Sequence, residues 1–527
     1  MSCDYGGHEG QKIKPVVLVR FFLYFFQERP EGSGSYFKVW GGGCLLLTGL
    51  DCGSCSQLHE FIQNSGMMIM FELNRRFAPA VLFAVGVAFG LQAQAKVSPE
   101  EAARIGTELT PMGANPAGNE IGTIPPYSGE ILGVPDWVEY KGSGTFYPDP
   151  YPGEEALFEI NAGNYQDFTD NLTDGQIALF KAYPSFKMPV YLTKRDTRYS
   201  DWIHEQVRIN AVNAELVEGG NGVRNAFGAV PFPVPANGQE LIWNHVYSPN
   251  PVFSSGQSLG ATVYENGSIS TLKRFEERYF QIFDSNIARA DYDDIAAFAM
   301  STVTEPARDK GKIVLIHEYS DLTTTPRNAW QYVPGSRRVR RAPTIAYDFP
   351  DGPGGLRTVD DALLYNGATD LYTWKMEPMR ELFVPYNNNA LDDPSVSYET
   401  LLTRYHINPE YMRYELRRCR VVVAELKEGK RHLYHKRRFY LDEDSWGGVL
   451  ADAYDGNGRL WRTNMRTYVN LYDMPGMGPR VEMYHDLQMR AYLVYGLVNE
   501  ESGPPRLDAE WSSAFFTPAN LRKLGSR

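Results

Sequence analysis

Gly256-Gln-Ser-Leu-Gly260 has the spacing of a nucleophile elbow, in which Ser258 would attack as the hydroxyl of a serine hydrolase. That chemistry needs a strand before the serine and a helix after it, so that the turn lifts the hydroxyl above the sheet. Here Pro249 and Pro251 precede the motif and a strand with an Asn-Gly turn follows, so Ser258 is expected on a strand and no catalytic residue is assigned. His432 and His435 are the nearest approach to a metal pair, but on a strand a spacing of three sends them to opposite faces. They are expected to be basic surface partners, and no metal or cofactor is assigned because supporting ligands at motif spacing are missing. Asp442-Glu-Asp444 and Asp455-Gly-Asn-Gly458 lack the alternating oxygens and twelfth-position glutamate of a calcium loop and are expected to be hairpin turns. Asp360, Asp361 and Asp370 are candidates to pair with Arg337, Arg338, Arg340 and Arg341, or to cap turns. A carboxylate pair for glycosidase chemistry depends on a separation that only three dimensions supply. Gly219-Gly-Asn-Gly222 lacks the third glycine and leading strand of a dinucleotide fingerprint and is expected to terminate a helix.

Binding is better served than catalysis by the aromatic residues, 13% of the chain. Trp243, Trp374, Tyr386 and Trp446, with Trp330 and Trp461 as further candidates, fall on or beside expected strands, where a curved sheet would turn them toward a ligand.

Tight turns organise the elements that must carry these residues. Asn266-Gly267, Glu428-Gly429 and Asp455-Gly-Asn-Gly458 each separate strand-forming runs, the pattern of an antiparallel meander. Helices are expected from a capping box at Ser98-Pro-Glu-Glu101, over residues 173–183 and 201–217, and after Thr517-Pro518. The proline- and glycine-rich run at residues 109–125 forbids regular structure.

Residues 67–95 carry the three parts of an export leader: Arg75-Arg76, an apolar stretch at 77–91, and the small-x-small tripeptide Ala93-Gln94-Ala95. Cleavage after Ala95 is expected to release an exported chain. Residues 1–66 are expected to be an over-extended start outside the fold, and residues 96–527 a single domain. Residues 1–95 hold seven Lys/Arg and seven Asp/Glu, so the formal net charge of −12 survives their removal. Such a surface repels phosphate and argues against nucleic acid as a partner. Only Cys419 of the five cysteines remains, so stability must come from a packed core.

Several segments resemble a family of bacterial periplasmic proteins, domain of unknown function 1329. They are Leu109-Thr-Pro with Ala117-Gly-Asn119, Pro231-Phe-Pro-Val-Pro235 leading to Trp243-Asn-His245, and the run from Trp330 through Arg337-Arg-Val-Arg-Arg341 to Pro343. Val384-Pro-Tyr-Asn-Asn388, Arg438-Phe-Tyr-Leu-Asp-Glu-Asp-Ser-Trp446 and Phe516-Thr-Pro518 complete the set. One departure is the stretch from Val246 to Val252, where the family pattern runs into a basic, Tyr/Arg-rich strand. Parts of the set are also similar to carriers that sort lipoproteins to the outer membrane. The resemblance implies a mainly β (α+β) fold: a large, curved antiparallel sheet, an open half-barrel with helices on its concave face. It implies a binding or carrier role for lipids or other hydrophobic compounds crossing the envelope, with an outer-membrane channel or lipid exporter as partner, and no enzyme activity. A serine or carboxylate hydrolase and a ligand-free structural partner of a channel are the alternatives.

Overall fold

The computed structural model describes residues 97–342 and 347–525, together with the backbone of residues 17–24 and 39–47. The chain divides into two compact units, Met1–Gln94 and Ala95–Arg527. In the first, Val17–Tyr24 and Val39–Leu47 pair antiparallel, although their sequence lacks strand alternation. The first of these, Val17–Tyr24, is rich in β-branched and aromatic residues, which favour extended backbone without alternating. The leader at 67–95 lies outside the described residues.

The second unit is built on a sheet of 15 strands. It opens with β1 (Phe158–Asn161) and β2 (Lys187–Tyr191). A first meander follows: β3 (Phe253–Val263), β4 (Ile269–Tyr279), β5 (Ile295–Glu305), β6 (Ile313–Tyr319), β7 (Asn328–Val333) and β8 (Arg338–Arg341). The second comprises β9 (Tyr372–Pro385), β10 (Tyr414–Leu426), β11 (Lys436–Asp442), β12 (Gly448–Tyr454), β13 (Leu460–Asn470), β14 (Met477–Asp486) and β15 (Ala491–Leu497). Neighbours within each meander pair antiparallel, and β3 pairs with β15, which joins the two. β2 adds to β10 in parallel and carries β1, while β9 pairs with β10 alone; the series runs from β8 to β1 without closing, so the sheet is open.

The turns act as their residues dictate. At Asn266-Gly267, Gly267 takes φ +82° and the Asn266 side chain accepts the Ser268 N–H at 2.9 Å. Asp455 accepts from the backbone of Asn457 and Arg459 at 2.8 and 3.0 Å. β3 begins at Phe253, so the Gly256–Gly260 motif lies inside an 11-residue strand, as its flanking residues led us to expect.

Capping side chains start the helices α1 (Pro99–Ala103), α2 (Asp174–Ala182), α3 (Asp201–Asn213) and α4 (Gly238–Val246). The C-terminal α5 (Pro518–Gly525) follows Thr517, whose hydroxyl accepts the Asn520 N–H. α3 stops four residues short of expectation. The Asn210 amide is engaged by the carbonyls of Phe227, Ala229 and Val230, and the chain then turns extended at Ala214. The glycine run does not end this helix; it closes a small hairpin between Glu215–Leu216 and Val223–Arg224, with Gly219 and Gly220 at φ +78° and +75°. α4 was unforeseen, and it places Trp243 on a helix and not on or beside a strand. Its first residue must be small, because a Cβ on Gly238 would stand 2.6 Å from the Lys375 backbone nitrogen of β9.

Strand alternation gives the sheet two distinct faces. One face carries Ala261, Val494, Met483, Met465, Leu450, Tyr440 and Val421, covered by Leu179 and Phe180 of α2. Over the first meander the same face carries Phe298, Met300 and Leu315, covered by Phe516 and by Leu521 of α5. The other face buries Val422, Ala424, Phe439 and Ala451 beneath α3 and α4. On this second face Ile316 of β6 and Arg466 of β13 border one cavity. Six strand spacings separate them, roughly 29 Å in a flat sheet. The sheet therefore curves, and the face bearing α3 and α4 is concave.

Candidate functional site

The concave face is open where α3 and α4 no longer cover it. There a cavity of about 530 Å³ lies between the first meander and the segment at 349–366. Its floor alternates small and charged residues: Gly256 and Ser258 on β3, Arg274, Glu276 and Arg278 on β4, and Ala297, Ala299 and Ser301 on β5. Val314 and Ile316 of β6, with Phe349, Val359 and Leu363 across the gap, supply apolar walls. A second cavity of about 90 Å³ continues it, lined by Trp243, Val246, Phe280, Ile282, Phe283 and Leu322 among others. The two share walls at Phe280, Ala297, Leu363 and Arg466.

The charged residues are tied into ion pairs. Arg274 reaches Asp351 at 3.1 Å, Asp351 reaches Arg357 at 2.7 Å, and Arg357 reaches Glu482 at 3.1 Å. Glu482 in turn faces Arg466 at 3.5 Å. The Tyr484 hydroxyl also donates to Glu482, and the Arg357 guanidinium lies 4.4 Å from the Tyr495 ring centre. Burial would raise the Asp351 carboxyl, but Arg357 and Arg274 beside it hold it well below the usual range. Glu318 is paired with Arg327 at 2.8 Å, and Glu276 with Arg278 at 2.9 Å.

Of the four aromatics expected to contact a ligand, Trp243 alone borders these cavities, and its indole N–H donates to the Gly220 carbonyl at 2.9 Å. Trp374 is packed against Tyr365, Tyr372 and Phe439, with its N–H on the Thr369 carbonyl at 2.9 Å. Tyr386 lies in the core of the convex side, its hydroxyl donating to Asp442 at 3.2 Å and Arg417 stacked 3.8 Å from its ring centre. Trp446 is fully buried in the turn after β11 and donates to the Met112 carbonyl at 2.7 Å. The last three serve packing, because their polar ends are spent on internal carbonyls or carboxylates.

Other candidates are placed differently from their sequence reading. Ser258 faces the larger cavity but pairs across with Arg274 in mid-strand, without the strand-turn-helix geometry of an elbow. His432 is not a surface partner: it lies before β11, accepts the Tyr434 N–H at its Nδ1, and donates from Nε2 to the buried Asp360 at 3.1 Å. His435 is exposed. Asp360 and Asp361 do not reach the arginines of β8; both are held by Arg437 at 2.9 and 2.8 Å. Asp442 and Asp444 are more than a turn, for Arg417 clasps both at 2.6 and 2.9 Å, and Arg195 binds Asp444 through two bonds of 2.8 Å. His245, on the wall of the smaller cavity, accepts the Gly448 N–H at Nδ1 and donates from Nε2 to the Leu363 carbonyl. Burial, reinforced by Arg466, pushes its pKa down to about 3, so it is neutral.

The cavity and its charges escaped the sequence reading because Arg274, Glu276 and Arg278 alternate along β4 as solvent-facing residues do. Their one available signature was the run of small residues at 297, 299 and 301 on the neighbouring strand.

The profile of the family described as "Protein of unknown function (DUF1329)" matches residues 159–522. An uncharacterized protein of Pseudomonas aeruginosa is 41% identical over 446 residues, spanning 83% of this chain and 96% of that relative. Among solved structures, a DUF1329 family protein of Desulfovibrio piger is 14% identical with a TM-score of 0.37, covering 54% of this chain and 96% of its own. An outer membrane lipoprotein-sorting protein domain of Vibrio parahaemolyticus is 13% identical with a TM-score of 0.38, covering 54% and 97%. On the extent of the sequence match, the chain belongs to the DUF1329 family.

Proposed function

We propose that this protein is a periplasmic binding or carrier protein that holds a lipid or other hydrophobic compound in the concave cavity during its passage through the envelope. The observation that carries the reading is the cavity itself. Its volume of about 530 Å³ falls within the range of small-molecule sites, and its walls combine aliphatic side chains with a few fixed polar groups. Trp243 then contacts the deeper part of the ligand, in the smaller cavity, while Trp374, Tyr386 and Trp446 set the shape of the surrounding core. The export leader at 67–95 supports the periplasm, with Lys96 as the first residue of the working chain and an outer-membrane channel or lipid exporter as the recipient.

The energy suffices for reversible carriage. Covering roughly 400 Å² of apolar ligand surface at ~25 cal/mol/Å² contributes about 10 kcal/mol. Association and ordering costs remove several kcal/mol, leaving affinity in the micromolar range, from which cargo can be released. Ser258 has no role as a nucleophile in this account, and a fluorophosphonate probe should leave it unlabelled. The direct test is native mass spectrometry of freshly purified residues 96–527, together with titration by N-phenyl-1-naphthylamine. A bound hydrophobic molecule or saturable 1:1 fluorescence is expected. A filled interior with neither would remove the carrier reading and leave that of a structural partner.

A further inference from the structure

We propose that the ligand is an amphiphile with an anionic head group, and that Arg466 at the junction of the two cavities is the group that binds the head. This rests on the carrier reading above and narrows its ligand class. The chain Arg274–Asp351–Arg357–Glu482–Arg466 sets three guanidinium groups against two carboxylates. The other ionic residues lining the cavity do not alter the balance, since Arg327 has Glu318, Arg278 has Glu276, Lys312 has Asp309 and Arg480 has Asp392 as partners. One positive charge is thus left over on a largely buried cluster, inside a chain whose formal net charge is −12. An uncompensated charge in such a place is costly, and an anion that enters relieves it.

The excess resides on Arg466. Its residue is 3% exposed, yet its Nε has no hydrogen-bond partner among the described residues. Its two hydrogen bonds, both from Nη1, are long at 3.3 Å to the Tyr468 hydroxyl and 3.4 Å to the Leu363 carbonyl. Glu482, the nearest carboxylate, gives one oxygen to Arg357 and the Tyr484 hydroxyl and leaves the other 3.5 Å from the Arg466 Nε, beyond a good hydrogen bond. A guanidinium is suited to a planar carboxylate or a phosphate, both of which accept two of its N–H groups at once. Arg466 also borders both cavities, so a head group bound there can send its tail along the apolar walls on either side.

The test compares three probes of equal chain length, decanoate, decyl phosphate and 1-decanol, by displacement of N-phenyl-1-naphthylamine from the mature protein at pH 7.5. At least one of the acids should compete at a concentration tenfold or more below 1-decanol. Which acid leads distinguishes a carboxylate from a phosphate head. In Arg466→Gln the acids should fall to the 1-decanol value, and in Glu482→Gln, which removes a competing carboxylate, their advantage should grow. Equal competition by all three in the wild-type protein overturns the proposal whether or not the variants fold, and so does an advantage that survives in Arg466→Gln. Those results leave the carrier reading standing; it falls as well if none of the three probes competes.

Discussion

Buried polar groups at the level of single residues explain why several expected site residues act as structure. Trp446 takes φ +62° in its turn, its indole N–H is spent on the Met112 carbonyl, and Arg420 lies 4.5 Å from its ring centre. Replacing it with Phe leaves that carbonyl without its donor and part of the volume empty. The expected loss is about 2–3 kcal/mol in urea unfolding, with probe affinity little changed. Lost affinity at full stability would return Trp446 to the binding site. His245 and His485 are fully enclosed, and burial pushes both down to about 3. Because their folded pKa lies below the unfolded value near 6.5, their stabilising effect is complete above pH 6.5 and declines as pH falls toward 3. Each removes ~1.4 kcal/mol per pH unit in that window. Asp452, pushed up to about 6, and Glu277 and Glu443, both pushed up to about 7, chiefly by burial, work the other way. The histidine contribution is therefore isolated by comparison: from pH 7 to pH 5 the thermal midpoint of the wild-type protein should fall relative to that of His245→Gln. A difference between the two that stays constant over that range would contradict the assignment of His245 as neutral.

Secondary elements were legible in the sequence wherever a local rule set them. The Asn266-Gly267 and Asp455–Gly458 hairpins and the capping box at Ser98 need only neighbouring residues, and each forms at its expected place. What could not be read depends on distant partners. Nothing local to Asn210 announces that its side chain will hold the 227–230 loop and that α3 will end soon after. Likewise the placement of Trp243 on α4 follows from the close seat of Gly238 on β9. The charges of β4 read as solvated until the segment at 349–366 closes over them. Element packing also makes a sharp demand at Gly175, where an added Cβ would collide with the Thr463 hydroxyl and the Asp452 carboxylate. α2 must sit that close to β12 and β13. Gly175→Ala is expected to destabilise the protein by about 2–3 kcal/mol by calorimetry, and a change below about 0.5 would show that α2 can shift.

At the largest scale, the unit Ala95–Arg527 is built on an open, curved sheet whose convex face is packed by α2 and α5 and whose concave face is covered only in part. The uncovered part becomes a cavity because β5 presents Ala297, Ala299 and Ser301 toward it, residues too small to fill the space beneath the 349–366 segment. Export of this unit alone is tested by sequencing the N-terminus of protein from the periplasm, where Lys96 is expected; a chain retaining residues before Met67 would contradict it. The claim on which the account turns is that ligand occupies this cavity. It is tested most directly by filling the cavity from its floor with Ala299→Phe and measuring N-phenyl-1-naphthylamine binding beside the wild-type protein. The account expects saturable 1:1 binding by the wild type and at least a tenfold loss in the variant at unchanged thermal stability. Binding of equal strength in a folded Ala299→Phe protein would show that the ligand lies elsewhere.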